Sequence, residues 1–306
     1  MSERMPLILD VDTGTDDALA LAYAVENPNI ELVATTTVAG NIGVELATAN
    51  TLAVLDFLGA TDVPVHKGAS HPLARPHRDA VYFHHENGMG GAQLPKSTRE
   101  IGPDRGPAAI IRLAKQRPGE ITLVCLGPLT NLAIALNVEP GLTDLLAGVA
   151  LMGGAFHVPG NTTPAAEFNI LVDPEAAEQV FAAPFKRLIA VGLDVTEQVR
   201  LVTADWEHSR DNAGTLPPAA ALLGEVGRYA YGELGRESFA LHDPLAVASA
   251  LQPELVSVED SAIAVESTGD ETGQTRIMGP GRVGVALAVD AERALRDFRE
   301  TVGLPA

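Results

Sequence analysis

The chain has 306 residues, 46% of them hydrophobic, so it can bury a large core. Its formal net charge of −19 disfavours nucleic-acid polymers as partners, because they require a basic surface. We expect no membrane span, since no stretch of about 18 residues lacks charges and Gly or Pro breaks. The apolar run near the N-terminus is too short for a secretory signal, which predicts a cytoplasmic protein.

Strand-like and helix-like segments alternate along the first two thirds of the chain. The predicted strands cover residues 7–11, 30–38, 63–66, 121–125, 148–152 and 187–191; the predicted helices cover 16–26, 44–58, 108–116, 130–136 and 174–181. Continuous apolar strands are typical of a parallel sheet that is covered on both faces. The pattern therefore predicts an α/β fold with an open, doubly wound, mostly parallel sheet and helices on both faces. A TIM barrel is the alternative, and the irregular strand spacing disfavours it.

Two long segments, residues 68–103 and 203–216, have a loop-like composition, and loops of that length are usually functional or mobile. The chain after about residue 256 combines strand-like segments with a helix at 291–302, which indicates a sheet edge or a small subdomain. We find no linker or repeat, and we expect residues 1–306 to form a single domain. The lone cysteine, Cys125, lies in a predicted buried strand.

The strongest chemical signal is an acidic cluster directly after the first predicted strand. Four carboxylates fall within eight residues there: Asp10, Asp12, Asp16 and Asp17. Open α/β sheets bind ligands at this end of their strands, and clustered negative charge is costly unless a cation neutralises it. A helix cap would explain one of the four carboxylates. Oxygen ligands without nearby Cys or His favour Ca²⁺ or Mg²⁺ over zinc.

Other protein classes share parts of this string. The triplet Asp12-Thr-Gly14 occurs in aspartic proteases, which need a second triplet or a dimer of small β domains. An EF-hand fails because Leu21 stands at its twelfth position, where a Glu is required. The haloacid-dehalogenase-like Mg²⁺-dependent phosphatases are the serious rival, but we find no convincing match to their later Lys and acidic pair.

Further motifs follow in order along nearly the whole chain: Val38-Ala-Gly-Asn41, Leu126-Gly-Pro-Leu-Thr-Asn131, Leu151-Met-Gly-Gly154, Ala166-Glu-Phe-Asn169 and Leu241-His-Asp-Pro244. Together with the acidic cluster, these motifs resemble the inosine-uridine preferring nucleoside hydrolase family. The resemblance implies a Rossmann-like core and calcium-dependent hydrolysis of the N-glycosidic bond of ribonucleosides, purine or pyrimidine, to ribose and free base. A non-catalytic ribose- or nucleoside-binding protein is the alternative from another class.

The resemblance also implies roles for particular residues. Asp12, Asp17, Asp243 and the backbone carbonyl of Leu126 would hold one Ca²⁺. Asp12 would act as the catalytic base, and His242 would activate the leaving group through an imidazole that titrates near neutrality. The implied substrate-binding residues are Asp16, Asn41, His84, Met152, Asn161, Glu167, Phe168, Asn169 and His242. We add Tyr231 from its position shortly before His242.

Some of these assignments have structural alternatives. Asn161 and Asn169 could make local turns, and Tyr231, with Tyr229 and Phe239, could line a base pocket or simply pack. Two positions depart from the family: Thr13, where Pro is usual, and His85, where Gly is frequent. Relatives form dimers or tetramers, so we expect a homodimer or homotetramer.

Overall fold

The computed structural model describes residues 4–305, and its centre is a nine-stranded sheet with a separate two-stranded sheet beside it. The strands in chain order are β1 (Met5–Val11), β2 (Ile30–Thr37), β3 (Val65–Lys67), β4 (Thr122–Cys125), β5 (Gly148–Met152), β6 (Leu188–Val191), β7 (Arg200–Val202), β8 (Ser238–Ala240), β9 (Val256–Val265), β10 (Thr275–Pro280) and β11 (Val283–Val289). All six strands predicted in the first two thirds of the chain are present.

The large sheet has the order β10-β9-β11-β6-β5-β4-β1-β2-β3. From β11 to β3 every neighbouring pair is parallel. The two pairs that β9 forms, with β11 and with β10, are antiparallel, so β9 alone runs against the other strands of this sheet. Since β2 lies on one side of β1 and β4 on the other, the chain reverses its winding direction at β1. The carboxyl end of β1 is therefore the point where an open α/β sheet binds its ligand.

Helices cover both faces of this sheet, as predicted. They are α1 (Thr15–Glu26), α2 (Val44–Phe57), α3 (Val81–His84), α4 (Gly106–Gln116), α5 (Thr130–Val138), α6 (Leu142–Leu145), α7 (Phe168–Val172), α8 (Pro174–Ala182), α9 (Leu193–Thr196), α10 (Thr203–Asn212), α11 (Pro218–Val226), α12 (His242–Leu251) and α13 (Ala291–Val302). A π-helix spans Arg228–Glu233, directly after α11.

Alternate residues of each central strand enter two different hydrophobic cores. Leu7, Leu9 and Val11 of β1 pack in one core with α1, α2, α11, α12 and α13, whereas Ile8 packs in the other with α4, α5 and α8. Because both faces are buried, the strands read as continuous apolar runs in the sequence. The open sheet excludes the TIM-barrel alternative.

One predicted loop is largely a helix. Residues 203–212 form α10, although the segment is polar and shows no apolar periodicity. The Asp205 carboxylate caps the helix by accepting from the Val202 N–H at 2.9 Å, and the buried Trp206 ring fixes it to the molecule. The Ser209 hydroxyl donates to the Ala220 carbonyl of α11 at 2.6 Å. Tertiary contacts thus stabilise a helix that its composition does not predict.

The segment 68–103 contains only the short helix α3, and tertiary hydrogen bonds fix it at several points. At its start, Ala69 N–H donates to Asn131 Oδ1 at 2.8 Å. In its middle, Ala80 N–H donates to the Asn41 carbonyl at 2.9 Å. These bonds place α3 against the turn that follows β2, beside the carboxyl end of β1.

The C-terminal part extends the large sheet at one edge through β9, β10 and β11, and α13 packs in the first core. The predicted sheet edge and final helix are confirmed. Among residues 4–305, no helix is long and apolar enough to cross a membrane.

Candidate active site

The turn between β1 and α1 holds its acidic side chains through backbone hydrogen bonds. The Asp17 carboxylate accepts from the N–H groups of Asp12 at 3.1 Å and Gly14 at 2.8 Å, and from Asn41 Nδ2 at 3.2 Å. A Cβ at Gly14 would lie 2.7 Å from His84 Nδ1, so only glycine fits there. Asp17 is therefore a helix cap, and it also joins the turns after β1 and β2.

Asp12 lies in a narrow slot between two glycines. Its Oδ2 accepts from Asn41 N–H at 2.6 Å. A Cβ at Gly40 would approach Oδ2 to 2.0 Å, and one at Gly127 would approach Oδ1 to 2.9 Å. Asp12 is fully buried, and among the described residues its Oδ1 has no hydrogen-bond partner. The fold thus fixes this carboxylate and leaves one oxygen free for a ligand.

Asp10 serves a different purpose from the other three carboxylates of the cluster. Its Oδ1 accepts from Thr36 Oγ1 at 2.5 Å and from Asn131 Nδ2 at 2.7 Å. Asn131 also donates to the Thr37 carbonyl at 2.9 Å. Asp10 therefore joins β1, β2 and α5 behind the site. Burial raises its pKa to about 7.

Three buried carboxylates meet at this end of the sheet: Asp16, Asp17 and Asp243 each offer an oxygen, and these oxygens lie within 4.8 Å of one another. Asp243 comes from the start of α12, far away in the sequence. The resemblance implied a metal set with Asp12 in place of Asp16, and Asp12 lies outside this group.

The electrostatics of the cluster fit a bound cation. Burial, followed by repulsion from the neighbouring carboxylates, raises the pKa of Asp12 and Asp243 well above the usual range. The same two causes raise the pKa of Asp16 to about 7. Asp12 and Asp16 each carry a buried oxygen that has no hydrogen-bond partner in the described part of the chain. An all-oxygen set of this charge suits a hard divalent cation.

A second group of polar residues lies across the carboxyl ends of β4 and β5. Asn169 Nδ2 donates to the carbonyls of Leu126 at 2.7 Å and Met152 at 3.1 Å. Glu167 caps α7 by accepting from the N–H groups of Asn169 and Ile170. Asn161 Oδ1 accepts from Phe168 N–H at 3.0 Å. The local bonding that we considered for Asn161 and Asn169 is thus present, and both residues also line the cavity described below.

Two histidines lie near the carboxylates, and burial keeps both neutral, so the expectation that His242 titrates near neutrality was wrong. Burial lowers the pKa of His84 to about 3 and that of His242 to about 4. The negative charge of Glu197 acts in the opposite direction on the pKa of His242, but burial outweighs it. Thr15 N–H donates to His84 Nδ1 at 3.1 Å. Since Nδ1 is the acceptor, the proton of His84 lies on Nε2. His242 Nδ1 lies 2.8 Å from Thr196 Oγ1.

A cavity of about 270 Å³ opens at this edge of the sheet. Most residues that the resemblance implies for substrate or metal line it: Asp16, Asn41, His84, Leu126, Met152, Asn161, Glu167, Phe168, Asn169, His242 and Asp243. The other two carboxylates, Asp12 and Asp17, lie beneath its floor and are fully buried. The segments that supply these residues are far apart in the sequence, and the sheet brings them together.

Tyr231 is not among the lining residues. Its ring stacks on Trp206 with a centroid distance of 5.6 Å, and its hydroxyl donates to the Leu201 carbonyl at 3.1 Å. Tyr231 therefore packs against the rest of the protein in the π-helix region and does not reach the cavity. Phe239 packs on Phe83. Of the two possibilities considered for these aromatic residues, the structure shows packing.

The sequence analysis missed several lining residues: Ala80, Tyr82, Phe83, Thr162, Glu197 and Arg236. Tyr82 and Phe83 immediately precede His84, and that proximity was an available signal. Glu197 follows β6 at the same sheet edge as the other strand ends. Arg236 gave no signal, because only the fold brings the segment after the π-helix to the cavity.

Comparisons with known proteins agree with this geometry. The family model described as inosine-uridine preferring nucleoside hydrolase matches residues 7–296. A non-specific ribonucleoside hydrolase of Klebsiella pneumoniae is 40% identical, with 98% of this chain and 99% of the relative covered. A probable uridine nucleosidase of Arabidopsis thaliana is 36% identical, with 90% and 86% covered.

Solved structures show the same similarity. A plant nucleoside hydrolase superposes with a TM-score of 0.90 at 32% identity, covering 98% of this chain and 99% of that one. A purine-preferring ribonucleoside hydrolase from Gardnerella vaginalis gives a TM-score of 0.90 at 33% identity, covering 97% and 98%. The motifs, the fold and these matches agree, and the chain belongs to the inosine-uridine preferring nucleoside hydrolase family.

Proposed function

We propose that this protein hydrolyses the N-glycosidic bond of ribonucleosides, releasing ribose and the free base. The observation that carries the proposal is the set of buried carboxylates with unpartnered oxygens at the floor of a cavity of nucleoside size. The family and the named relatives support the same activity. Because the chain belongs to this family, nothing further supports the alternative of a haloacid-dehalogenase-like phosphatase.

We infer that Ca²⁺ is the cation, held by Asp12, Asp17, Asp243 and the backbone carbonyl of Leu126. The unpartnered Oδ1 of Asp12 and the convergence of Asp17 with Asp243 support this set, and Asp16 is close enough to contribute. When bound, Ca²⁺ would neutralise the carboxylates, orient the ribose hydroxyls and lower the pKa of the attacking water.

The remaining polar residues of the cavity would bind the ribose. Asp16, Asn41, Asn161, Glu167 and Asn169 offer acceptors and donors for its hydroxyl groups, and the buried Met152 provides an apolar surface beneath the ring. Phe168 adds apolar contact at the same wall.

Asp12 is our candidate for the catalytic base. Its slot fixes the carboxylate, which would accept the proton as water attacks the anomeric carbon. Bond cleavage leaves positive charge on the ribose, and the surrounding carboxylates stabilise it electrostatically. The rigid slot means that little reorganisation is needed during the reaction.

The leaving base needs a hydrogen-bond donor, and both cavity histidines can supply one. His84 presents its Nε2–H, because Thr15 occupies Nδ1. His242 lies beside Asp243 and is held by Thr196, and we assign it the principal role in leaving-group activation. As neutral imidazoles, both act as hydrogen-bond donors in the starting state.

The Asp12→Asn variant tests catalysis against mere binding. We expect wild type to release ribose from uridine or inosine and to cleave 2′-deoxynucleosides poorly, since they lack a hydroxyl that the cation would hold. Asn keeps one oxygen for the cation, so with Ca²⁺ in excess Asp12→Asn should retain nucleoside binding by calorimetry and lose turnover by at least about 10³-fold. Full activity of the variant would remove Asp12 as the base, and binding without turnover in wild type would indicate the binding-protein alternative.

A homodimer or homotetramer, and a cytoplasmic location, stay predictions of the sequence analysis. Light scattering of the purified protein measures the assembly state, and a monomeric mass would contradict the first of these predictions.

A further inference from the structure

The cavity carries two charged side chains that the proposed mechanism does not use. Glu197 and Arg236 line the same cavity as His242. Glu197 immediately follows Thr196, whose hydroxyl lies 2.8 Å from His242 Nδ1. Since His242 is assigned to the leaving group, Glu197 lies on the side of the cavity where the base departs.

Glu197 is held in place at one oxygen and free at the other. Arg200 Nη1 donates to its Oε2, and Arg200 Nε in turn donates to Ser238 Oγ at 2.8 Å. Within residues 4–305, no donor reaches Oε1 of Glu197. The Glu197 side chain is 47% exposed. A carboxylate with one free acceptor oxygen therefore belongs to a residue that lines the cavity.

Arg236 provides a contrasting donor in the same cavity. Its guanidinium lies over the Phe83 ring, 4.3 Å from the centroid, and pairs with no carboxylate in the described part of the chain. Uracil and hypoxanthine carry a ring N–H next to a carbonyl oxygen. An anionic acceptor and a cationic donor together match that pair of groups.

We propose that Glu197 determines base specificity by accepting a hydrogen bond from the ring N–H of the leaving base. This inference rests on the proposed nucleoside hydrolysis and names the group that the base pocket recognises. A base that is methylated at this nitrogen lacks the donor and leaves the carboxylate unmatched. Sites that are built to hydrogen-bond a substrate discriminate against analogues without the bonding group.

The test compares uridine with 3-methyluridine and inosine with 1-methylinosine, using kcat/KM for wild type, Glu197→Ala and Glu197→Gln. Wild type should prefer the unmethylated substrates by about tenfold, as expected for one hydrogen bond to a half-exposed charge. Glu197→Ala should lose about tenfold on uridine, mainly in KM, and change little on 3-methyluridine. Glu197→Gln keeps an acceptor oxygen and should retain part of the preference.

A nitrophenyl riboside, whose leaving group has no ring N–H, controls for indirect effects through His242. Glu225→Ala is the matched variant, because Glu225 forms an i,i+3 ion pair with Arg228 and does not line the cavity. Equal losses on methylated, unmethylated and nitrophenyl substrates would overturn the proposal, as would unchanged uridine kinetics in Glu197→Ala. Absence of wild-type turnover on every riboside would instead refute the proposed function.

Discussion

His85 has an unusual backbone conformation, from which we predict how substitutions at this position change the stability of the protein. It adopts φ 66° and ψ 164°, and among residues 4–305 it is the only non-glycine residue with positive φ. Glycine reaches this region without strain, whereas other residues incur about 1–3 kcal/mol. The family frequently has glycine here. His85 precedes the turn in which Gly88 N–H donates to its carbonyl at 2.9 Å, so the strain lies beside His84.

Comparing His85→Gly with His85→Ala isolates the strain. Both variants lose the edge contact with Tyr229 at 5.2 Å and the weak bonds to Asn87. At an unstrained position Gly is less stable than Ala by about 0.4–1 kcal/mol, because it loses more entropy on folding. Relief of about 1–3 kcal/mol of strain outweighs this cost. We therefore expect the Gly variant to be more stable than the Ala variant by about 1 kcal/mol.

Urea unfolding with calcium held constant measures this difference. The same pair of substitutions at His208, inside α10, is the control, and there Ala should be more stable than Gly by about 1 kcal/mol. The sign should therefore reverse between the two positions. If the Ala variant at position 85 is as stable as the Gly variant or more stable, the strain argument is wrong.

Three further predictions concern the active site. Gly127→Ala places a Cβ 2.9 Å from the Asp12 carboxylate, so kcat should fall about 10²-fold. Gly43→Ala is the control, because the space around Gly43 is open, and it should change kcat little. Equal losses of kcat in the two variants would contradict the role of the slot around Asp12. The pKa of Asp16 rises from 3.8 to about 7 on folding, so the cation-free folded state binds this proton more tightly than the unfolded chain does. The contribution of Asp16 to folding stability therefore falls as the pH rises from about 4 to 7. The Tm increase on adding calcium should therefore be larger at pH 7.5 than at pH 5.5, and a larger increase at pH 5.5 would refute this account. His242→Ala should lower kcat on uridine by about 10²-fold or more but on a nitrophenyl riboside by less than about tenfold, and equal losses would remove His242 from leaving-group activation.

The sequence predicted the sheet because its central strands are buried on both faces and therefore read as continuous apolar runs. It also placed the acidic cluster at the carboxyl end of the first strand, where open α/β sheets bind ligands, and the family resemblance assigned Asn41 and Glu167 to the same site. The helix α10 was missed because tertiary contacts of Trp206, and not periodicity, stabilise it.

The base end of the cavity could not be predicted. Glu197 and Arg236 come from separate segments, and their approach depends on how α9 and the π-helix region pack. Tyr231 was assigned to substrate from its position before His242, but its ring stacks on Trp206. Aromatic residues near a motif do not reveal from the sequence alone whether they face a ligand or a helix.

The most direct test of the central claim is to measure free ribose after incubation of the protein with uridine, inosine, adenosine, guanosine and cytidine, with and without a calcium chelator. We predict ribose release from at least one nucleoside, loss of that release on chelation, and its return when Ca²⁺ is added in excess. Release that persists in the chelator would contradict the cation's role at the carboxylate cluster, and no release from any nucleoside would contradict the proposed hydrolysis.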